Sequence, residues 1–297
     1  NRFLKGDDKP VTEPEWPKIE GQLLRAFPDE LPADEINTTI DESFVPLASS
    51  ALPQTQQEFQ SWRSQKSNDL HRLVFRAVPK AIIANNLRLN DREESTGLLT
   101  TELEITVPWR FFPAPEPKPG TATWLVVLGE DESLGARPDW LIKAIGAVPV
   151  LLLSPRNSGA QRWPDPAPYY VRRSLPLLGR TVDGDRLIDV VAAARAWLRE
   201  NGTGELRIVG RGSAGVLAAY AALLEPRILE VMAVVPPSSH RDGPILLNVL
   251  RVLDVPQAFG MLAPRPLTIA TAQSGAFDAT RALYQLGGGA LKIESAP

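Results

Sequence analysis

Cysteine is absent from all 297 residues. That absence excludes disulfide frameworks, thiolate nucleophiles, iron–sulfur clusters and cysteine zinc sites. Histidine is close to absent: His71 and His240 are the two copies, so a site built on several histidines is excluded and a histidine base must be one of these two. An excess of either charge is also missing. Thirty-two Lys and Arg against 35 Asp and Glu leave a formal charge of −3, with acids and bases interspersed, which argues against nucleic acid as a partner. Apolar runs are short, 148–153 being typical, far below the roughly 20 residues that a membrane-crossing helix needs.

What is present suffices for a globular core, since 43% of the residues are hydrophobic. Proline stands out at 28 residues, about 9% against roughly 5% on average. Many of the prolines crowd into residues 8–54, which show no sustained period. Trp16, Leu23, Leu24, Phe27, Ile36, Ile40 and Phe44 give this stretch more apolar anchors than a pure linker carries. Residues 1–54 are therefore expected to form an extended arm that wraps a core built from residues 55–297.

Thr55 followed by Glu58 is a capping-box pattern, and the apolar residues from Phe59 to Val74 predict a helix that contains His71 and ends before Pro79. Residues 81–89 and 98–111 read as strands separated by a polar stretch, an antiparallel pair. A proline-rich connector, 113–120, follows. Beyond it strands and helices alternate: strands at 123–128 and 147–153, a short helix at 140–145, and a longer one at 185–199 with apolar residues on one stripe and arginines opposite. Further strands are expected at 206–209, 229–235, 266–270 and 290–293, with a helix at 216–224. Such alternation predicts an α/β fold, a mostly parallel sheet with helices on both faces.

The strand at 206–209 runs directly into Gly210-Arg-Gly-Ser-Ala-Gly215 and then a helix. One explanation is a phosphate-binding turn, since Gly210-x-Gly212-x-x-Gly215 matches that spacing and would make the chain a nucleotide-binding domain. The other is the strained strand-to-helix turn that presents a nucleophile in α/β-hydrolases. Resemblance to that superfamily extends further, through the antiparallel pair, Ala263-Pro-Arg-Pro-Leu267, Arg172-Arg-Ser-Leu-Pro-Leu-Leu-Gly-Arg-Thr181, Ser239-His-Arg-Asp-Gly-Pro244 and Leu250-Arg-Val-Leu-Asp-Val-Pro-Gln257. Over roughly residues 80–297 the chain resembles the secreted dienelactone-hydrolase and acetyl-xylan-esterase-like group.

The resemblance implies a secreted or periplasmic carboxylic-ester hydrolase fold that needs neither cofactor nor metal, with a catalytic serine between two small residues. Taking Gly210 and Ala214 as the small pair puts Gly212 at the nucleophile's place and leaves Ser213 to cap the next helix. Shifting by one makes Ser213 the nucleophile but forces Arg211 into a crowded position. The family's acid would fall near Ser274 or Gly275, so Asp278 is three or four residues late. Its base would follow the last strand, where Glu294-Ser-Ala-Pro297 has no histidine. The expected function is thus a non-catalytic accessory domain of a carbohydrate- or ester-processing protein, its triad degenerate. The alternative is an active esterase using Ser213, His240 and Asp278 or Asp242.

Two further expectations concern partners. Asn1-Arg-Phe-Leu-Lys-Gly6 is similar to the closing residues of many complete α/β-hydrolase domains, which implies an upstream catalytic domain in the same protein. Trp163, Tyr169 and Tyr170, set among prolines and hence expected on a loop, are the candidates for holding a polysaccharide. Neither nucleic acid nor a membrane is expected as a partner.

Overall fold

Strands that are covered on both faces read as continuous apolar runs, and the central strands do so. The computed structural model describes residues 3, 6, 8, 14–27, 29–48, 51–79, 87, 93–116, 121–201 and 204–296. Among these, eight strands form one sheet: β1 (Ser95–Glu102), β2 (Ile105–Phe112), β3 (Thr123–Val127), β4 (Val150–Leu153), β5 (Leu206–Arg211), β6 (Ile228–Val234), β7 (Leu267–Ala270) and β8 (Leu291–Glu294). Their order is β1-β2-β4-β3-β5-β6-β7-β8. β1 and β2 are antiparallel, β2 meets β4 antiparallel, and every other neighbouring pair is parallel.

The antiparallel pair is present but built differently from its expectation. Residues 98–111 are not one strand: they are most of a hairpin that reverses at Leu103 and Glu104. Glu104 takes a positive φ of 61° there, uncommon for a residue other than glycine. Of the other expected strand, 81–89, all but Leu87 lies outside the described residues.

Among the described residues there are eight α-helices: α1 (Ile40–Phe44), α2 (Gln56–Asp69), α3 (Asp139–Ile145), α4 (Ala167–Ser174), α5 (Val182–Glu200), α6 (Ser213–Leu224), α7 (Val255–Gly260) and α8 (Asp278–Gly287). Thr55 caps α2 as its sequence predicts, accepting from the Glu58 N–H at 3.2 Å. The helix then continues through a wider turn over Leu70–Val74, where His71 is exposed.

Period-two alternation assigns the strand residues to two faces. Leu125, Val127, Leu151, Leu153 and Ile208 join a large cluster with side chains from α2, α5, α6, α7 and α8. Trp124, Val126, Val150, Leu152 and Val209 join a smaller one with Trp140 and Leu141 of α3. Helices therefore lie on both faces. α5 departs from its expected stripe: Arg186, Asp185 and Asp189 are buried along with its apolar residues, so not all of its charges face water. By contact the chain divides into two compact units, Asn1–Pro46 and Leu47–Pro297. In the first unit Trp16, Leu23 and Phe44 are exposed.

Candidate functional site

The carboxyl end of β5 carries the turn singled out above. Gly212 adopts φ 60° and ψ −134°, a backbone conformation that side chains with a Cβ rarely take. Its N–H donates to the Val234 carbonyl at 2.8 Å and its carbonyl accepts from the Gly215 N–H at 3.0 Å, so the tip is held from both sides. A Cβ on Gly210 would lie 2.5 Å from the Ala214 backbone, and one on Gly215 would lie 2.8 Å from the Gly210 oxygen. That mutual contact accounts for the glycine spacing by packing alone. A Cβ on Gly212 would meet nothing within 4 Å, so this position opens into free space.

The strained residue of the turn is thus Gly212, with Gly210 and Ala214 as its small flanking pair. Ser213 does not cap α6 as expected. It is the first residue of the helix, and the cap position belongs to Gly212. The reason is geometric: once residue 212 makes the left-handed turn, residue 213 already lies in the first turn of the helix rather than at its cap.

Above the turn lies a cavity of about 420 Å³, lined by Gly129 and Glu130 after β3, Pro155 after β4, Arg211 and Ser213 of the turn, Arg172 of α4, and Asp183 and Arg186 of α5. It sits at the carboxyl ends of β3, β4 and β5, the usual ligand position in open α/β sheets. Arg186, nearly buried, donates to Glu130 at 2.7 Å, Asp183 at 3.0 Å and the Asn157 carbonyl at 2.7 Å. Partial burial pushes the Glu130 carboxyl up, but hydrogen bonding and charge from Arg186, with Arg172 and Arg162, outweigh it and hold the group below its ordinary range.

Behind this wall a second ionic group ties four segments together. Asp189, wholly buried, accepts from the Arg156 N–H at 2.9 Å, the Arg156 guanidinium at 2.9 and 2.6 Å, and the Thr101 hydroxyl at 2.6 Å. Arg156 also reaches Glu102 at 2.8 Å, while Arg180 bridges Glu102 and Asp185 at 2.8 Å each. Burial raises the Asp185 carboxyl pKa above its usual range despite these two cations.

The residues proposed for an active triad are held by other partners. His240 is buried: Nε2 lies 2.7 Å from the Tyr220 hydroxyl and Nδ1 2.9 Å from the Pro244 carbonyl, occupying both ring nitrogens. Burial is the main cause of its pKa lying below the ordinary value, and the ring joins Tyr220 of α6 to the Pro244 carbonyl of its own loop. Asp278 is exposed at the start of α8 and pairs with Arg281 at 2.6 Å. Asp242 is exposed as well. Of Ser213, His240 and Asp278, only Ser213 lines the cavity, and no hydrogen bond joins the three among the described residues. Where the resemblance puts the acid, Ser274 and Gly275 begin a short helical turn.

The proposed aromatic platform is also differently placed. Tyr169 and Tyr170 are not on a loop but on α4, with Trp163 half-buried ahead of it. Proline is tolerated in the first turn of a helix, where no intrahelical N–H is needed, so Pro166 and Pro168 start α4 rather than prevent it. The two tyrosine rings stand at 77° with centroids 5.4 Å apart, and the Arg173 guanidinium lies over Tyr169. Among the described residues no cluster of His, Asp and Glu is placed to hold a metal ion, and no helix is long and apolar enough to cross a membrane. Glu130, Arg172, Arg186 and Arg211 were not picked out from the sequence. The one available signal was Arg186 interrupting the apolar stripe of its helix.

No protein-family model matches this chain, and no curated protein matches it in sequence. Its fold does match solved structures. A Bacteroides fragilis protein assigned as an acetyl xylan esterase superposes with a TM-score of 0.63 at 14% identity, covering 87% of this chain and 82% of that one. Acetyl xylan esterase 1 from a Thermoanaerobacterium species gives 0.50 at 14% identity, over 84% and 89%. A methylesterase gives 0.58 at 13%, over 83% of this chain but only 61% of its own length. The chain therefore has an α/β-hydrolase fold.

Proposed function

We infer that this chain is a non-catalytic α/β-hydrolase-fold domain, related to carbohydrate esterases, that holds a ligand in the cavity above Gly212 without hydrolysing it. One observation carries the reading: the left-handed tip of the turn is a glycine, and the space a nucleophile's side chain would fill is open. Support comes from His240, whose ring nitrogens are both engaged by structural partners, and from Asp278, which is paired with Arg281. Covalent catalysis needs a nucleophile within hydrogen-bond reach of a base that a third group orients, and among the described residues Ser213, His240 and Asp278 are not joined in that way. As an extension of this reading, the domain is an accessory half of a larger secreted or periplasmic ester hydrolase, acting beside an upstream catalytic domain on a polysaccharide.

Exposure to excess fluorophosphonate probe tests the central claim, because such probes label serines activated by a base. The expected intact mass is unchanged, with hydrolysis of a simple acetate ester at the background rate. Gly212→Ser is expected to stay unlabelled too, since it restores a hydroxyl without a base. A gain of one probe mass that Ser213→Ala abolishes would identify the protein as a working esterase and sink this reading.

A further inference from the structure

The cavity above Gly212 is walled by three carboxylates, Glu130, Asp131 and Asp183, and three guanidiniums, Arg172, Arg186 and Arg211. Each carboxylate is already compensated. Glu130 accepts from Arg186 at 2.7 Å and lies 3.3 Å from Arg172. Asp183 shares Arg186 at 3.0 Å and takes the Ile245 N–H at 2.8 Å. Asp131 pairs with Arg162, outside the lining. Arg211 differs from its neighbours: among the described residues no carboxylate or hydrogen-bond acceptor engages its guanidinium. It is also the last residue of β5, immediately before Gly212, where an added Cβ would meet nothing within 4 Å.

Building on the reading of this cavity as a ligand site without a nucleophile, we propose that it takes its ligand by a carboxylate that pairs with Arg211. A guanidinium presents a planar fork of N–H donors that matches a carboxylate in two parallel hydrogen bonds. No acid of the cavity wall competes for Arg211, because each is already paired with another arginine. With hydrogen rather than a hydroxymethyl group at residue 212, the adjoining space is left for the incoming group. An ester has no charge to offer and is not selected by such a site, whereas the acid of the same size is. Two sources share that chemistry: the carboxylate of a sugar acid, and a free short-chain acid of the kind that ester hydrolysis releases.

Titration calorimetry of the full chain at low salt, with sodium glucuronate, sodium acetate and glucose as separate probes, tests this. Saturable binding of a carboxylate is expected, with glucose silent and with Arg211→Gln binding about tenfold more weakly. Tighter binding of glucuronate assigns the site to a sugar acid, and tighter binding of acetate assigns it to a free acid. Arg211 is exposed, so Arg211→Gln is expected to keep the thermal midpoint, which confirms that a weakened affinity reflects the lost pair. Absence of heat with both acids at millimolar concentration, or unchanged affinity in Arg211→Gln, overturns the proposal. Fluorophosphonate labelling of the same sample separates the two ideas. A labelled Ser213 sinks the non-catalytic reading whatever the titration shows, while an unlabelled protein that ignores both acids sinks the carboxylate site alone.

Discussion

Two glycines two residues apart in one turn have opposite reasons to be glycine, and substitution separates them. At Gly210 a methyl group would sit 2.5 Å from the Ala214 backbone, which cannot yield without moving α6 off the sheet. Overpacking of this kind costs about 1–3 kcal/mol or more. At Gly212 the methyl meets no atom, and the penalty is the left-handed backbone alone, about 1–2 kcal/mol. Urea unfolding is therefore expected to show Gly210→Ala as the more destabilised variant; the reverse order would mean that the turn is not packed as described. His240 is a second residue-scale case. Burial depresses its pKa in the folded state below the ordinary 6.5, so the folded protein binds fewer protons than the unfolded chain. This group's contribution is full above pH 6.5 and is lost as pH falls below that value toward the folded pKa. Thermal midpoints at pH 8 and pH 5 are expected to differ less in His240→Gln than in the native protein, with a lower midpoint at pH 8 from the weakened link to Tyr220.

At the scale of elements, α5 carries both the apolar stripe legible in the sequence and a buried ionic row that was not. The stripe obeys a 3.6-residue period, which any linear reading detects. Burial of Asp185 and Asp189 depends instead on Arg156, Glu102 and Arg180, which come from three other segments and meet α5 only in the fold, and that of Arg186 depends on Glu130 and the Asn157 carbonyl. Removing one partner leaves the others desolvated without compensation, at about 3–5 kcal/mol. Asp189→Ala is accordingly expected to lower stability far more than Thr55→Ala, which loses one helix cap worth about 1 kcal/mol, and chemical denaturation of the two variants measures the difference. Equal losses would mean that the Arg156 cluster is solvated rather than sealed. The hairpin of β1 and β2 shows the same limit of local reading. Alternation over residues 98–111 looks like one strand, and only the positive φ at Glu104 reveals the reversal.

For the whole molecule, both apolar clusters lie within Leu47–Pro297, so that unit expressed alone is expected to unfold cooperatively with a midpoint within a few degrees of the full chain; circular dichroism on heating would detect its failure to fold. Class and architecture were legible because they follow from periodicity and from the order of elements. Short apolar runs alternating with helical stripes leave few arrangements of a parallel sheet, and the glycine turn after Val209 marked where its site would be. The glycine at the tip of that turn could be read as well, since Gly210 and Ala214 are the small pair that flanks it. What the linear pattern could not contain was charge placement. Whether Arg186 faces water or closes a cavity, whether the His240 ring is buried against Tyr220, and whether Arg211 has a partner are relations between residues distant in sequence. Hydrophobic period is a local property of the chain, and it specified the fold; desolvation and pairing of charged groups are properties of the assembled surroundings, so only the tertiary structure decided them.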